Sequence, residues 1–430
     1  MAKKLRFALF LCLFFLSLPL YAREAAAPDV MVVHIEGVIN PVTAEFLDKS
    51  IKTADESRAD AVVIMLDTPG GLDTSMRQMV KAITGSPVPV ITYVAPTGAR
   101  AASAGVFITM ASSVAAMAPG TNIGAAHPVS MGGEKLTKEM SQKLENDAAA
   151  YITSLAEKYG RNAKWAALSV RKSVSISESE AVKTGVVDLV ADNVDDLLKK
   201  ADGRKVMTGI GPVVLKTSGA KLRDIEMGWR LRFLKALSDP NIAYILMMIG
   251  VVGIFFELSN PGLVFPGVVG GVALVLAFYA FQTLPVNYAG ILLIILALIF
   301  FIAEVKITSY GLLSVAGVIS LILGSVMLID SPLPFMRVSL KIILPATLTL
   351  AGFFAILIRT ALRSHRARVT MGKEGLIGAE CEAMTDLDPE GDVFVQGAHW
   401  RASSGDGIRK GEKAVVVSVE GLRLKVTRKP

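Results

Sequence analysis

Five long apolar segments occupy the C-terminal half of this chain and are joined by very short connections. Each segment approaches the ~20 apolar residues that a helix needs to cross a bilayer. Because 52% of all residues are hydrophobic, an ordinary soluble protein is excluded. The sequence therefore predicts an α-helical transmembrane domain of about five spans within residues 224–362. The segments are Ile242–Leu258, Gly262–Leu284, Ala289–Val305, Leu312–Ile329 and Ile342–Ile358.

The N-terminus has the parts of a secretory signal peptide. Lys3, Lys4 and Arg6 precede the apolar run Phe7–Leu20, and a small-residue cleavage site follows. The run is shorter than the ~20 residues of a membrane span, so residues 1–22 are interpreted as a signal peptide. An uncleaved anchor helix is the open alternative. We expect the segment that follows to be exported.

The net charge of +7 is not arranged as a nucleic-acid-binding stripe. Its densest part directly follows the fifth apolar segment and marks a cytoplasmic membrane edge. With an exported N-terminus and an odd number of spans, the N-terminal domain is expected outside the cytoplasmic (inner) membrane and the C-terminal domain in the cytoplasm. The lipid bilayer is an expected partner and nucleic acid is not. The basic cluster consists of Arg359, Arg363, Arg366, Arg368 and Lys373.

A short segment, residues 224–237, joins the soluble N-terminal part to the first span. It mixes large apolar residues with arginine and lysine, as an interfacial helix does. Farther on, Glu257 and Glu304 lie at the ends of apolar segments, which favours interfacial positions over an ion pathway. A channel or transporter is therefore a weaker interpretation. The apolar residues of the joining segment are Trp229, Phe233 and Leu237.

Between Asp29 and Asp195, short β-branched runs alternate with longer amphipathic ones. Such alternation predicts parallel strands with right-handed crossovers, whose loops gather at the carboxyl ends of the strands. The sequence thus predicts an α/β domain over residues 23–223. The predicted strands are Val30–Ile35, Ala61–Leu66, Val88–Val94, Val114–Met117 and Val186–Val190. The predicted helices are Thr43–Glu56, Thr74–Thr84 and Ser103–Ser112.

One loop of this domain carries a hydroxyl among residues with almost no side chain. Ser103 lies in the run Gly98–Gly105, where a peptide backbone can approach it. A serine that attacks an amide needs a base and N–H donors for the oxyanion that forms. The flexible turn at Gly70 and Gly71 offers such donors, and the amide of Ala104 offers another at a helix N-terminus. These residues are the candidate nucleophile and the candidate oxyanion hole.

The base is harder to assign because histidine is scarce. His127 is the nearest candidate, but a proline follows it and no orienting acid is evident, which favours a structural role. A buried lysine can serve instead, since desolvation disfavours its charged form. Lys135 and Lys138 lie in a polar loop, and Lys143 lies beside the apolar stripe of a predicted helix, where position alone favours solvation. That stripe consists of Met140, Leu144, Ala148, Tyr151 and Leu155.

Taken together, three motifs are similar to those of a known family. They are the turn Asp67-Thr68-Pro69-Gly70-Gly71, the run Gly98-Ala99-Arg100-Ala101-Ala102-Ser103-Ala104-Gly105, and the helix after Lys143 with the later Gly160-Arg161-Asn162-Ala163. They resemble the long-form NfeD family of membrane-bound, ClpP-class serine proteases, which are stomatin-operon proteins. The resemblance implies a ClpP/crotonase-like fold and a Ser-Lys dyad, with Ser103 as nucleophile and Lys143 as general base.

The same resemblance implies a partner and a third domain. After Lys373, short alternating runs separated by glycines predict a small β-barrel, and the family implies that it is OB-like and covers residues 370–430. A stomatin- or prohibitin-like membrane protein is the implied partner, and its apolar segment is the implied substrate. Homo-oligomerisation of the protease domain is also implied.

Other chemistries find less support in the sequence. It contains no phosphate-binding loop and no His-Glu-x-x-His motif, and its two cysteines, Cys12 and Cys381, form no zinc-binding pair, so no cofactor or metal is expected. A crotonase-like fold could admit acyl-CoA, but an exported domain with a serine and a lysine argues against that substrate. The sequence predicts a membrane-anchored serine endopeptidase. The alternative is a non-proteolytic scaffold that organises stomatin-like assemblies in the membrane.

Overall fold

The computed structural model describes residues 27–130, 137–259, 262, 264–307, 309, 311–331, 333–366 and 373–429. The predicted signal peptide at residues 1–22 lies outside the described residues, as do Lys135 and Arg368. The described chain forms two compact units. One unit runs to Ile294 and includes Ile322–Leu344, and the other comprises Ile295–Leu321 and the chain from Pro345 onwards.

A six-stranded, all-parallel sheet forms the centre of the N-terminal domain, as the alternating pattern predicts. Its inner strands are apolar along nearly their whole length because both faces of the sheet are covered. In spatial order the strands are β11 (Lys221–Ile225), β1 (Asp29–Glu36), β2 (Ala61–Asp67), β3 (Val90–Val94), β5 (Val114–Met117) and β8 (Leu189–Val190).

Helices bury both faces of this sheet. One face contributes Val33 and Ile64 to a large core with several helices, and the other contributes Val32 and Val63 to a core closed by Leu197. The helices of the domain are α1 (Pro41–Glu56), α2 (Asp73–Gly85), α3 (Ala104–Met110), α4 (Lys138–Lys158), α5 (Ala163–Arg171), α6 (Glu178–Lys183) and α7 (Val194–Ala201). Helix α7 carries Leu197, and α1 to α5 lie on the larger core.

A second, three-stranded sheet was not predicted. It consists of β4 (Arg100–Ala102) beside β6 (Asn122–Gly124) in parallel, with β7 (Ser175–Ser177) antiparallel to β6. A hairpin of β9 (Lys205–Thr208) and β10 (Gly211–Val214) was also missed. These strands are too short to produce a clear periodic pattern. The small sheet is the one that carries the serine loop.

Two predicted boundaries differ from the structure. The strand predicted over Val186–Val190 is shorter, because the N–H groups of Val186 and Val187 both bind the carbonyl of Ala181 in a turn. The N-terminal sheet continues beyond residue 223, since β11 pairs with β1 in register from Asp29 with Lys221 to Val33 with Ile225.

A short helix, α8 (Trp229–Leu237), follows the sheet and leads into the membrane domain. Leu237 was predicted to belong to an interfacial apolar surface, but it is buried, as is Leu231. Trp229 and Phe233 are exposed. The helix therefore packs one side on protein and leaves the side with the aromatic residues open.

The membrane region contains apolar helices in all five predicted segments. They are α9 (Pro240–Ser259), α10 (Val264–Phe281), α11 (Tyr288–Lys306), α12 (Leu312–Met327) and α13 (Leu340–Arg366). In the described chain, α9 and α10 are long and apolar enough to cross a membrane, whereas the apolar stretches of the other three are shorter. A count of five spans therefore stays a prediction.

Small residues and one carboxylate shape the packing of these helices. A Cβ atom on Gly253 would lie 2.7 Å from the Cα of Gly270, so α9 and α10 are in direct backbone contact.

Glu304 accepts hydrogen bonds from the Ser309 hydroxyl at 2.5 Å and from the Ser314 N–H at 3.0 Å. Glu304 thereby caps the start of α12, which accounts for this carboxylate without an ion pathway.

The C-terminal domain is a closed five-stranded barrel, as expected for an OB-like domain. The strands, in order around the barrel, are β12 (Glu380–Ala383), β13 (Glu390–Val395), β14 (Ala398–Ser403), β16 (Arg423–Arg428) and β15 (Lys413–Glu420). Cys381 is buried in its core beside Val393 and Leu424. Burial raises the pKa of the Cys381 thiol, so this residue behaves as a small apolar side chain.

Candidate active site

Ser103 lies at a sharp turn between β4 and α3. Its backbone has φ 52° and ψ −111°, in the left-handed half of the map that residues with a side chain seldom adopt. The Ser103 N–H donates to the carbonyl of Gly124 at 3.1 Å, and the Ser103 carbonyl accepts from the N–H of Val106 at 3.0 Å. A strained serine at a strand-to-helix turn is the arrangement that exposes a nucleophilic hydroxyl.

The glycine turn packs directly against this serine. A Cβ atom on Gly70 would lie 2.6 Å from the Cβ and 3.0 Å from the Oγ of Ser103. A Cβ atom on Gly105, in the first turn of α3, would lie 2.7 Å from the Cγ2 of Thr68. Glycine is therefore required at both positions, and the structure brings the two motifs together as predicted.

A short loop after β1 holds the glycine turn from its other side. The Ile39 N–H donates to the carbonyl of Gly70 at 2.8 Å, and the Leu72 N–H donates to the carbonyl of Ile39 at 2.9 Å. A Cβ atom on Gly71 would lie 2.0 Å from the Ile39 oxygen, so only glycine fits there. These contacts fix the direction in which the amides of the turn point.

The three predicted oxyanion donors are not equivalent. The Gly70 N–H already donates to the Thr68 hydroxyl at 3.0 Å, so it is not free to bind a ligand. Among the described residues, the N–H groups of Gly71 and Ala104 have no acceptor. Unoccupied backbone N–H groups are the kind of donor from which an oxyanion hole is built. In the single chain the Gly70 N–H is thus occupied, and its role as an oxyanion donor stays a prediction, whereas its missing side chain lets Ser103 approach.

Thr68 belongs to the predicted turn motif, but no role was predicted for its side chain. It is fully buried, and its hydroxyl both accepts from the Gly70 N–H and donates to the Gly70 carbonyl at 3.2 Å. A threonine two residues before a glycine is a signal for a hydroxyl-closed turn, and the Thr68-Pro69-Gly70 pattern carries it. The side chain therefore stabilises the turn.

Lys143 lies in the second turn of α4 and is exposed. Within the part of the chain that the structure describes, its ammonium makes no hydrogen bond or ion pair. The structure thus places Lys143 on a helix next to the site without joining it to Ser103. The burial that the dyad interpretation requires is absent from the single chain.

One and two turns after Lys143, the same face of α4 contacts α2 and α3. Asp147 and Tyr151 follow Lys143 at intervals of four residues and so share its face. Asp147 pairs with Arg77 of α2, and the Tyr151 ring stacks on Phe107 of α3 with centroids 6.0 Å apart. Burial raises the pKa of the Tyr151 hydroxyl, so this phenol stays neutral and does not compete as a base.

The apolar stripe predicted for α4 is only half correct. Ala148 and Leu155 are buried and Tyr151 packs on the core, but Met140 and Leu144 are exposed. All buried residues of this helix lie from its central residue, Ala148, onwards. The N-terminal half, which includes Lys143, therefore presents apolar side chains to solvent.

The other predicted candidates for the base lie elsewhere. His127 is half-buried and its Nδ1–H donates to the carbonyl of Val170 at 3.0 Å, which supports the structural role predicted for it. His34, which was not among the candidates, lies in β1 and contacts Asp224 at 3.3 Å. Lys138 is the exposed first residue of α4. None of these contacts involves Ser103.

A buried arginine anchors the far end of the serine helix. The Arg161 side chain is 1% exposed and donates to the carbonyl of Met110 at 2.9 Å, at the C-terminus of α3. It also pairs with Asp188 at 2.7 Å. Sequence reasoning noted Arg161 as part of a motif but gave no hint of its burial. Cations near helix C-termini offset the exposed carbonyls, so Arg161 holds α3 in place.

Three family models match the chain in order. They describe the NfeD1b N-terminal domain at residues 29–205, the NfeD integral membrane domain at residues 241–360 and the NfeD-like C-terminal, partner-binding domain at residues 373–428. The membrane-bound protease PH1510 of Pyrococcus horikoshii is 37% identical, with 97% of this chain and 96% of the relative covered.

Two solved structures are also similar to the N-terminal domain. The 1510-N membrane protease specific for a stomatin homolog, from Pyrococcus horikoshii, is 36% identical and covers 50% of this chain and 100% of its own, with a TM-score of 0.44. ClpP1 from Listeria monocytogenes is 20% identical and covers 38% of this chain and 91% of its own, with a TM-score of 0.32. On the strength of the three domain matches and the nearly full-length relative, this chain belongs to the NfeD family and is an integral membrane protein.

Proposed function

We propose that this protein is a membrane-anchored serine endopeptidase in which Ser103 is the nucleophile and Lys143 the general base. The observation that carries the proposal is the left-handed backbone of Ser103, held against Gly70 and beside the free N–H groups of Gly71 and Ala104. Backbone strain of this kind costs about 1–3 kcal/mol and persists mainly at functional sites. The relative that spans nearly the whole chain is named as a membrane-bound protease, which favours the same activity here.

The proposed reaction is acyl transfer in two steps. The Ser103 Oγ attacks the peptide carbonyl carbon while neutral Lys143 takes the hydroxyl proton. The oxyanion of the tetrahedral intermediate accepts hydrogen bonds from Gly71 and Ala104, each worth roughly 10²- to 10³-fold in rate. Lys143 then gives its proton to the leaving amine, and the acyl-serine ester is hydrolysed by a water that Lys143 activates in turn.

An apolar peptide suits this site because it would supply what the single chain lacks. Lys143 must be neutral to accept a proton, and removal of water around it favours the neutral form. Met140 and Leu144 flank Lys143 on the exposed end of α4, and Val129 is exposed shortly after β6. An extended apolar segment lying on these side chains would cover the ammonium. Charged peptides would leave it hydrated.

The substrate and partner that we propose are a stomatin- or prohibitin-like membrane protein and its apolar segment. The support is the C-terminal domain, whose family model describes a partner-binding domain, and the specificity for a stomatin homolog named for the 1510-N protease. We also propose that the chain spans the membrane five times and forms homo-oligomers. In this topology the protease domain is extracytoplasmic and the barrel is cytoplasmic.

A non-proteolytic scaffold is the second candidate function. The exposed, contact-free state of Lys143 among the described residues favours it, because the dyad is not assembled in the single chain. In that case the fold would organise stomatin-like assemblies without cleaving them. A direct test of the serine separates the two functions.

The test compares Ser103→Ala with Ser218→Ala, a matched change at an exposed serine far along the chain from the site. The purified protein is incubated with apolar peptides, and the fragments are mapped by mass spectrometry. Ser103→Ala should lower cleavage by about 10⁴-fold or more and abolish labelling by a fluorophosphonate, whereas Ser218→Ala should change neither. Equal cleavage by a folded Ser103→Ala protein would refute the assignment, and no cleavage or labelling by the unmodified protein would favour the scaffold.

A further inference from the structure

Helix α8 is fixed to the N-terminal domain by one of its sides. Leu231 and Leu237 are buried, and Leu234 packs against the core of the domain. The Lys235 ammonium donates to the carbonyl of Glu36 at 3.1 Å at the end of β1. The helix therefore moves with the domain and is not a loose linker.

The opposite side of α8 is an apolar surface without a covering element among the described residues. Trp229 is 81% exposed and Phe233 is 48% exposed, and they are one helical turn apart. We call this pair the aromatic face. Arg230 and Arg232 flank it with well-exposed side chains, which also form surface ion pairs with Glu45 at 3.6 Å and Glu226 at 3.4 Å. Large exposed aromatic residues with flanking arginines are typical of an interaction surface.

The position of the aromatic face identifies what covers it. Helix α8 ends at Leu237, α9 begins at Pro240, and the matched integral membrane domain begins at residue 241. Phe233 and Trp229 thus lie 8 and 12 residues before the matched membrane domain, on the helix that leads directly into it. Tryptophan prefers the lipid–water interface because its ring is apolar and its N–H is polar, and arginines next to it can bind lipid phosphates.

We propose that the aromatic face of α8 inserts into the lipid–water interface and holds the N-terminal domain in a fixed orientation on the bilayer. The orientation reaches the candidate site through a short path. Lys235 binds the Glu36 carbonyl, and the loop after Glu36 carries Ile39, which clamps the Gly70–Gly71 turn. Resting on the proposed function, a second consequence is that the protease acts on bonds held close to the membrane surface.

Depth-dependent fluorescence quenching tests the lipid contact without any need for activity. The chain has three tryptophans, so Trp165→Phe with Trp400→Phe leaves Trp229 alone. Trp165 tolerates phenylalanine because its indole N–H has no partner among the described residues. The full-length protein is placed in nanodiscs whose lipids carry bromine near the headgroup or deep in the acyl chain. A protein that retains only Trp400, in the barrel, is the matched control.

We expect shallow bromine to quench Trp229 strongly, deep bromine to quench it weakly, and neither to quench Trp400. Absence of quenching at Trp229 would overturn the proposal. A spin label at Phe233→Cys, in a protein with Cys12→Ala and Cys381→Ala, provides a second measurement in the native tryptophan background. Its relaxation should respond to oxygen, which enriches in lipid, and a stronger response to a water-soluble nickel chelate would contradict the proposal.

The consequence for substrate choice is tested with the full-length protein in lipid vesicles. One apolar peptide is offered either free in solution or attached to phosphatidylethanolamine in the membrane of those vesicles. Trp229→Ser with Phe233→Ser should lower cleavage of the anchored peptide about tenfold and leave the free peptide unchanged. The control is Met207→Ser with Ile210→Ser, which removes two exposed apolar residues from the β9–β10 hairpin. Equal loss on both peptides would contradict the proposal. If the unmodified protein cleaves neither peptide, the proposed function is refuted, and the quenching measurement still tests the lipid contact.

Discussion

At the scale of single residues, the candidate site is determined by what glycine makes possible. A side chain at Gly70 would collide with the Cβ of Ser103, and a side chain at Gly71 would collide with the backbone of Ile39. Glycine at both positions permits these close approaches. The two contacts press the glycine turn between the loop after β1 and the serine turn. The positive φ of Ser103 is therefore held by its contact with Gly70 and by the hydrogen bond from its own N–H to the carbonyl of Gly124.

The role of Lys143 is tested by a change that preserves charge. Lys143→Arg should abolish cleavage as fully as Lys143→Ala, because a guanidinium does not lose its proton in the accessible pH range. Cleavage by the unmodified protein should rise with pH, since only a neutral amine can accept the serine proton. The measurement is kcat/KM for an apolar peptide across pH.

Lys138→Arg and Lys138→Ala are the controls for this prediction, because Lys138 is exposed on the same helix. Both should retain activity. Persistence of cleavage in Lys143→Arg would exclude Lys143 as the base. Loss of cleavage in a folded His127→Ala protein would direct attention to that histidine instead.

The residues of the site were predictable to different degrees. Ser103 and the glycine turn follow from composition, because small residues around one hydroxyl form a recognisable pattern. The hydrogen bond from the Gly70 N–H to the Thr68 hydroxyl depends on the conformation of one side chain, which the sequence pattern does not specify. The exposure of Lys143 depends on where α4 leaves the core, and no local pattern encodes that point.

At the scale of elements, α3 is a short helix held at both ends. Its first residue follows the strained Ser103, and its last carbonyls accept hydrogen bonds from Arg161. A seven-residue helix has little stability of its own, so its orientation comes from these contacts and from the buried side chains along it. The position of the nucleophile therefore depends on an arginine at the opposite end of the helix.

Replacement of Arg161 tests this dependence. Arg161→Ala removes a buried charge from Asp188 and two carbonyls, and should lower the free energy of unfolding by about 3–5 kcal/mol. Arg171→Ala, at an exposed arginine 3.6 Å from Glu145, should cost ~1 kcal/mol or less. Thermal unfolding of the full-length protein measures both effects.

The kinetics of a milder variant identify the positioning role. Arg161→Lys keeps the charge but makes fewer hydrogen bonds, so it should fold, with a lower kcat and little change in KM if α3 shifts the Ser103 hydroxyl. A lower melting temperature with unchanged kcat would mean that Arg161 stabilises the domain without positioning the nucleophile.

Elements that depend on distant partners were the ones that sequence reasoning missed. The inner strands were predicted because their apolar runs reflect burial on both faces. Strand β11 is mostly exposed, and it exists because it pairs with β1, about two hundred residues earlier in the chain. The strands β4, β6 and β7 have three residues each, too few for a period of two to be seen.

At the scale of the whole molecule, three family models match three successive regions, so the order of domains is settled. Five spans stay a prediction, because in the described chain three of the five apolar helices have apolar stretches shorter than a typical span. Composition predicts that a segment prefers lipid, but short apolar helices can also pack against other helices without crossing. The side of the membrane on which each soluble domain lies therefore needs a direct measurement.

Cysteine labelling in intact cells provides that measurement, but the native Cys381 is a poor reporter because it is buried and its thiol has a raised pKa. A protein with Cys12→Ala and Cys381→Ala is therefore the background. Ser218→Cys reports the N-terminal domain, and Leu422→Cys reports the barrel, since both residues are exposed. An odd number of spans predicts that an impermeant maleimide labels Ser218→Cys in intact cells and labels Leu422→Cys only after lysis. Labelling of both in intact cells would require an even number of spans and would place the barrel, with any partner that it binds, on the outer face.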